Sequence, residues 1–267
     1  MKPSYGKLSA VLLSALVAGS LGLQGLAYAI TNGMPDGEGH PYVCMVVAFV
    51  DGSPVWRGSG TLISPRVVLT AGHVTDGADS MMVWFTSDLT NDPSYPFKGI
   101  QGTPYTHPNY MIGGSPTLRD WISHDVGIIV LRKAVRLGEY GELPSEGVVD
   151  TLPTKTWVEQ VGYGSQSQTV GDHGPPYWDN PRVRMYAPAQ LIACDYSWSD
   201  EFIKLTANAA QGKGGTSYGD SGGPVLLGGT RVVIGVTSWG VDYNCKSVAY
   251  AGRVDTPDVL DWIKSFV

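Results

Sequence analysis

The feature that most restricts the fold is a series of short apolar or alternating runs, each bounded by turn-forming residues. They occupy residues 43–50, 60–63, 67–70, 81–86, 126–131, 156–161, 225–227, 231–239 and 248–254. Runs of this length suit strands and are too short for buried helices. The chain has 35 glycines and 18 prolines without a collagen period, enough to supply the turns between them. An all-β fold follows. Only the end departs from it: Thr256-Pro257-Asp258 precedes Val259, Leu260, Ile263 and Phe266 at helical spacing, with a capping residue and a proline in the first turn. Residues 87–102, 112–116 and 166–181 are turn-rich and read as surface loops. The pattern fits one domain or two packed barrels of about a hundred residues each, and composition does not choose between them.

Residues 1–29 form a different kind of segment. Lys2 and Lys7 open it, an apolar stretch runs from Leu8 to about Leu26, and Ala27-Tyr28-Ala29 closes it with small residues at alternate positions. This is the pattern of a secretory signal. Ser9, Ser14, Gly19, Ser20 and Gly22 interrupt the stretch, which is marginal for a membrane span of about 20 residues. Removal of the segment takes away two lysines and no acid, moving the formal charge from −6 to −8. A chain this acidic carries no basic footprint for nucleic acid. With 43% apolar residues and 16% charged ones it can bury a real core.

Three cysteines in an exported chain leave at least one unpaired and allow three single bridges, or none. Cys44, inside an apolar run, reads as a small buried hydrophobe.

The chemistry gathers around Gly219-Asp220-Ser221-Gly222-Gly223-Pro224, a serine set among glycines just before an apolar run. Glycines there permit close backbone approach and unusual dihedrals, as a loop that presents a hydroxyl and aims N–H groups at an oxyanion requires. The same string satisfies the G-x-S-x-G elbow of α/β-hydrolases, in which the histidine follows the serine. All five histidines, His40, His73, His107, His124 and His173, precede Ser221, so that reading fails. A serine nucleophile needs a base, and the base an acid to fix its tautomer. Thr70-Ala71-Gly72-His73 ends one apolar run, and Asp125 opens another, giving the order His, Asp, Ser.

With these blocks in place, the chain resembles the chymotrypsin/trypsin-like serine protease family over essentially everything after residue 29. Ile30-Thr31-Asn32-Gly33 is similar to that family's mature amino terminus, Gly58-Ser59-Gly60 to the strand before its histidine, Gly162-Tyr163-Gly164 to its G-W-G turn and Ser238-Trp239-Gly240 to its substrate-binding strand. The resemblance implies residues 30–267 as two packed six-stranded antiparallel β-barrels with a C-terminal helix and the active site between them. It implies Ser221 as nucleophile, His73 as general base and then acid, and Asp125 as the carboxylate that orients His73. Gly219 and Ser221 would supply the oxyanion hole, and Gly215, Thr216, Ser238, Trp239 and Gly240 the substrate-binding positions. The other four histidines are read as surface or structural.

Departures from the family pattern are also informative. Gly58 and Val74 stand where many members carry a disulfide beside the histidine, and Ser217 where a pocket bridge commonly begins. The resemblance favours a Cys194–Cys245 pair; closing that loop would contribute roughly 4 kcal/mol in the chain-entropy picture. Gly215 occupies the position of the aspartate that selects Lys or Arg in trypsins, so cleavage is expected after uncharged apolar residues, with Val248 a possible wall. Ile30 directly follows Ala29, so signal removal itself would free the ammonium that pairs with Asp220, without a separate propeptide. Asp88, Asn91 and Asp92 are explained by turn chemistry, and no metal or cofactor is expected. The expected partners are protein or peptide substrates and proteinaceous inhibitors, for an extracellular or periplasmic monomer that meets no nucleic acid and, once the signal is removed, no membrane. Two alternatives remain: a catalytically silent binding module on the same fold, and an esterase-biased hydrolase, which would share the acyl-transfer chemistry.

Overall fold

The computed structural model describes residues 30, 33–113, 122–165, 168–169, 177–178, 182–193, 201–206, 214–240 and 248–267. A two-residue strand β1 (Met34–Pro35) leads into a first barrel made from β2 (Val43–Val50), β3 (Ser53–Ser64), β4 (Val67–Thr70), β5 (Ser80–Trp84) and β6 (Ile100–Thr106). After a small hairpin of β7 (Met111–Ile112) and β8 (Ile122–Ser123), strand β9 (Gly127–Leu131) completes it. The barrel closes in the order β2-β3-β4-β9-β6-β5, all antiparallel. Two faces of the same sequence pattern build it: β2 is buried almost throughout, whereas β6 exposes alternate residues to solvent.

The second barrel uses β10 (Trp157–Gly162), β13 (Met185–Ala193), β14 (Phe202–Thr206), β15 (Pro224–Leu227), β16 (Val233–Gly240) and β17 (Val248–Arg253), with a hairpin of β11 (Gln168–Thr169) and β12 (Tyr177–Trp178) between the first two. These strands run β13-β10-β15-β16-β17-β14, and β14 pairs back onto β13 to close a second antiparallel ring, with β1 added outside β13. The core of this barrel holds Val158, Leu191, Ile203, Leu205, Val225 and Ile234. A larger cluster fills the first barrel and crosses the seam to Val161, Tyr163, Val233 and Val236.

Among the described residues, three short helices complete the fold: α1 (Gly72–Thr75), α2 (Val148–Thr151) and α3 (Pro257–Lys264). The closing helix buries Val259, Leu260 and Ile263, as its spacing predicts. Among the described residues, no helix is long and apolar enough to cross a membrane.

Strands β6, β13 and β14 are additions to the sequence reading. In β13, the inward set Met185, Ala187, Ala189 and Leu191 alternates properly, but alanines weaken the apolar signal and Pro188 lies inside the run. Strand β6 extends out of a segment read as loop, because its sequence IQGTPYT buries only Gly102 fully. The loop reading of 166–181 also gives way, to the β11–β12 hairpin.

Candidate active site

The seam between the barrels collects the chemistry-bearing residues from three strand ends. Strand β4 runs into α1, which carries His73 in its first turn. Gly72 is required there, since a Cβ would meet Tyr110 Cδ2 at 2.8 Å and Asp125 Oδ1 at 3.2 Å. Asp125 lies just before β9, and Ser221 just before β15.

Asp125 is the hub of this group. Its Oδ1 accepts the backbone N–H of His73 at 2.8 Å, and its Oδ2 lies 2.8 Å from the His73 ring Nδ1. The Ser238 hydroxyl donates to the same Oδ2. Ser238 reaches it from a bulge: Thr237 pairs with Ala251 and Trp239 with Tyr250, leaving one extra residue between them. A carboxylate with three donors and no proton of its own keeps the imidazole proton on Nδ1, so Nε2 is free to act as a base. Burial pushes the Asp125 carboxyl upward, but the charge and hydrogen bonds of His73 and the Ser238 bond outweigh it and hold the group below the ordinary range. For His73, burial acts downward and the Asp125 charge and hydrogen bond more than reverse it, raising the imidazole above its usual value.

The backbone before Asp125 is pinned from outside. His124 adopts φ +48, uncommon for a residue with a side chain. Its N–H donates to Glu201 Oε2 at 2.7 Å, and its Nε2 lies 2.7 Å from Asp258 Oδ2 on α3. The ring stacks on buried His107 at 4.9 Å. Both histidines thus have structural surroundings, and His40 likewise contacts Asp36. His173 lies outside the described residues.

The loop that carries Ser221 is fixed by backbone and by glycine. Gly219 has φ +98 and Gly222 φ +80, and a Cβ on Gly222 would lie 2.0 Å from Thr70 Oγ1. The Tyr218 carbonyl accepts from the Ser165 N–H at 2.7 Å, so the N–H of the same trans peptide, on Gly219, points the opposite way. Neither the Gly219 nor the Ser221 N–H donates to any acceptor among the described residues. Two free amides on one tight turn are what an anionic tetrahedral oxygen needs.

Ser59, which the sequence marks only as part of a strand, ties this loop to the first barrel. Its N–H donates to the Ser221 carbonyl at 2.8 Å and its Oγ to the Gly219 carbonyl at 2.9 Å, while Oγ accepts the Tyr163 N–H at 2.9 Å. The signal that could have found it is its place inside the matching Gly58-Ser59-Gly60 block.

Asp220 turns away from Ser221 into the protein. Its Oδ1 accepts the Gly164 N–H at 2.7 Å and its Oδ2 the Ser217 N–H at 2.8 Å. Gly162 and Gly164 make room for it, since a Cβ on either would lie 2.3 Å from a carboxylate oxygen. Burial pushes this carboxyl up to about 7, against the two amides and the charge of Arg57. Ile30, still joined to residue 29, is fully buried against Met185, Ala187 and Val183 with φ +47. The contacts described for Asp220 are therefore with Gly164, Ser217 and Arg57, and none with Ile30.

Two cavities flank Ser221. One, of about 250 Å³, is lined by Thr216, Ser217, Tyr218, Thr237, Ser238, Trp239 and Gly240, none of them charged. Gly215 is buried next to this wall but does not line it, and Val248, half-buried at the start of β17, is also absent from the lining. The other cavity, about 360 Å³, contains His73, Val74, Gly219, Trp56, Arg57 and Ser165. Cys194 and Cys245 lie outside the described residues; Cys44 is free and fully buried. Asp88 and Asp92 accept the N–H groups of Thr90 and Ser94, two residues on in each case, as turn-forming side chains do.

The sequence matches the family model described as Trypsin over residues 32–263. It is 28% identical over 238 residues to Serine protease 1 of Drosophila melanogaster, covering 88% of this chain and 84% of that one. Snake venom serine protease KN6 of Trimeresurus stejnegeri is 29% identical over 220 residues, covering 79% and 77%. Among solved structures, that of HL collagenase superposes with a TM-score of 0.66 at 21% identity, covering 88% of this chain and 96% of that one.

Proposed function

The chain belongs to the trypsin family and is a serine endopeptidase acting on protein substrates, and we propose that it does so through Ser221, His73 and Asp125, after export and release of residues 1–29. The observation that carries this reading is the Asp125 hub: one buried carboxylate holding His73 by backbone and ring, opposite a nucleophile loop with two free amides.

The Ser221 Oγ adds to the substrate carbonyl carbon while its proton passes to His73 Nε2. The carbonyl electron pair moves onto oxygen, where the Gly219 and Ser221 N–H groups meet it. The C–N bond then breaks, the amine leaves with the proton from Nε2, and an ester on Ser221 remains. Water repeats the sequence: its proton goes to His73, the acid is released, and Ser221 Oγ recovers its proton. Asp125 stays ionised throughout and steadies the imidazolium that forms in each half.

The uncharged lining between Thr216 and Gly240 supports cleavage after apolar residues. Release at Ile30 has two supports. A β-branched residue with φ +47 is strained while residue 29 is attached, and cutting that bond removes the constraint. Asp220, buried without a full counter-charge, is the acceptor that a new ammonium would satisfy. The mature protein is then an extracellular or periplasmic monomer, open to proteinaceous inhibitors, with Cys194 and Cys245 paired.

A fluorophosphonate probe applied to the purified secreted protein, beside Ser221→Ala, tests this, with amino-terminal sequencing of the same sample. Labelling that requires Ser221 on chains starting at Ile30 is the expected result. Chains starting at Ile30 that take no label would overturn it in favour of a binding protein.

A further inference from the structure

The cavity on the His73 side of Ser221 differs from its neighbour in carrying a cation. His73 gives its proton to the departing amine, so the part of the substrate that leaves lies on the side of the cavity lined by His73, Val74, Gly219 and Arg57. The Arg57 guanidinium sits against Gly219: a Cβ there would meet its Nε at 3.3 Å and its Nη2 at 3.4 Å. Nη2 is buried with no hydrogen-bond partner among the described residues. Tyr95 lies in the same cavity wall as Arg57, with its ring under the Arg182 guanidinium at 4.7 Å. Two arginines thus lie near one tyrosine, in a chain of formal charge −6. A second cavity, lined by Val47, Pro54, Val55, Tyr95 and Pro96, shares Trp56 and Arg57 with the first, and Val55 in its wall is 54% exposed.

We propose that Arg57 forms a leaving-side subsite that selects an acidic side chain within two residues after the scissile bond, ahead of an apolar residue resting against Val55 and Pro54. This rests on the peptidase reading above. The carboxylate whose charge acts on Arg57 is that of Asp220. Once the Ile30 ammonium pairs with Asp220, the arginine charge is left to the groove. A carboxylate from the substrate then meets the charge of a guanidinium that lines the groove.

Quenched fluorescent peptides that differ only in Glu, Gln or Lys at the two positions after the cut bond test this on the secreted chain, with rates normalised to titrated active sites. The wild type is expected to favour Glu over Lys by about tenfold, less at high salt, with Arg57→Gln levelling the three and Arg57→Glu reversing their order. Equal rates for Glu and Lys peptides in the wild type overturn the proposal even if the variants fail to fold. So does an unchanged ranking in folded Arg57→Glu. Should the wild type take no fluorophosphonate label, the activity reading has failed and the subsite is read by binding instead. Fluorescence anisotropy of the same peptides on Ser221→Ala then decides: tighter binding of the Glu peptide supports the subsite, equal binding removes it.

Discussion

Asp125 and Asp220 are the same residue type, each about 1% exposed, one in contact with His73 and the other next to Ser221 in the chain, yet their proton affinities move in opposite directions. Both lose solvation on burial. Asp125 recovers it from His73, through backbone and ring, and from Ser238. Asp220 has two amides and the charge of Arg57, and remains pushed up to about 7. The difference teaches that burial alone does not decide the state of a carboxylate; the number and charge of its donors do. One site is complete as the chain folds; the other has no cation in hydrogen-bond contact among the described residues.

The largest test of this contrast removes the completed site's charge. Asp125→Asn is expected to lower kcat by about 10⁴-fold, because an amide donor at this place favours the wrong tautomer of His73. The acid limb of kcat/KM should also move to lower pH, since the partner that raises His73 is lost. Measured on active-site-titrated protein, a loss under tenfold would break the comparison.

The incomplete site should reveal itself through stability. In chains that retain residue 29, Asp220 binds its proton more tightly folded than unfolded, so stability is greatest below the unfolded value near 3.8 and falls as pH rises toward 7. The full shift corresponds to roughly 4 kcal/mol. Urea denaturation between pH 4 and 7 should show this slope in the extended chain and a reduced one in chains beginning at Ile30. Equal slopes would mean that the ammonium does not reach Asp220.

Activity should follow the same ammonium. One extra residue before Ile30 is expected to lower kcat/KM by about 10² to 10³-fold, the scale of a disordered oxyanion donor, in assays on otherwise identical protein. The smallest effect belongs to Ser238→Ala. Asp125 then keeps both His73 bonds, and loss of the one hydroxyl should cost kcat about tenfold or less.

How much of this was legible in the sequence depends on how each feature is encoded. Strands β2 and β4 fall at the boundaries their apolar runs define, and α3 falls within its helical spacing, because burial writes itself into side-chain pattern. Strand β13 hides behind alanines and Pro188, since its ladder is a backbone property. At the site, His73, Asp125 and Ser221 are readable as motif residues, because the proposed roles of base, orienting acid and nucleophile each demand that residue type. The Ser238 bulge, the left-handed His124 and the placement of Arg57 are not, for they depend on register and on which strand ends the barrels bring together.

Ser59 has every polar atom engaged: its N–H with Ser221, its hydroxyl with Gly219 and Tyr163, and its carbonyl with the Thr70 hydroxyl. In the terms of assembly it is a locating pin, belonging to one half and seated in the other. The loop that carries Ser221 therefore takes part of its position from the docking of the two barrels. Under the proposed reading, alignment is thus a property of the assembled seam, and a chain with either barrel formed alone would hold no aligned centre with which to digest its neighbours.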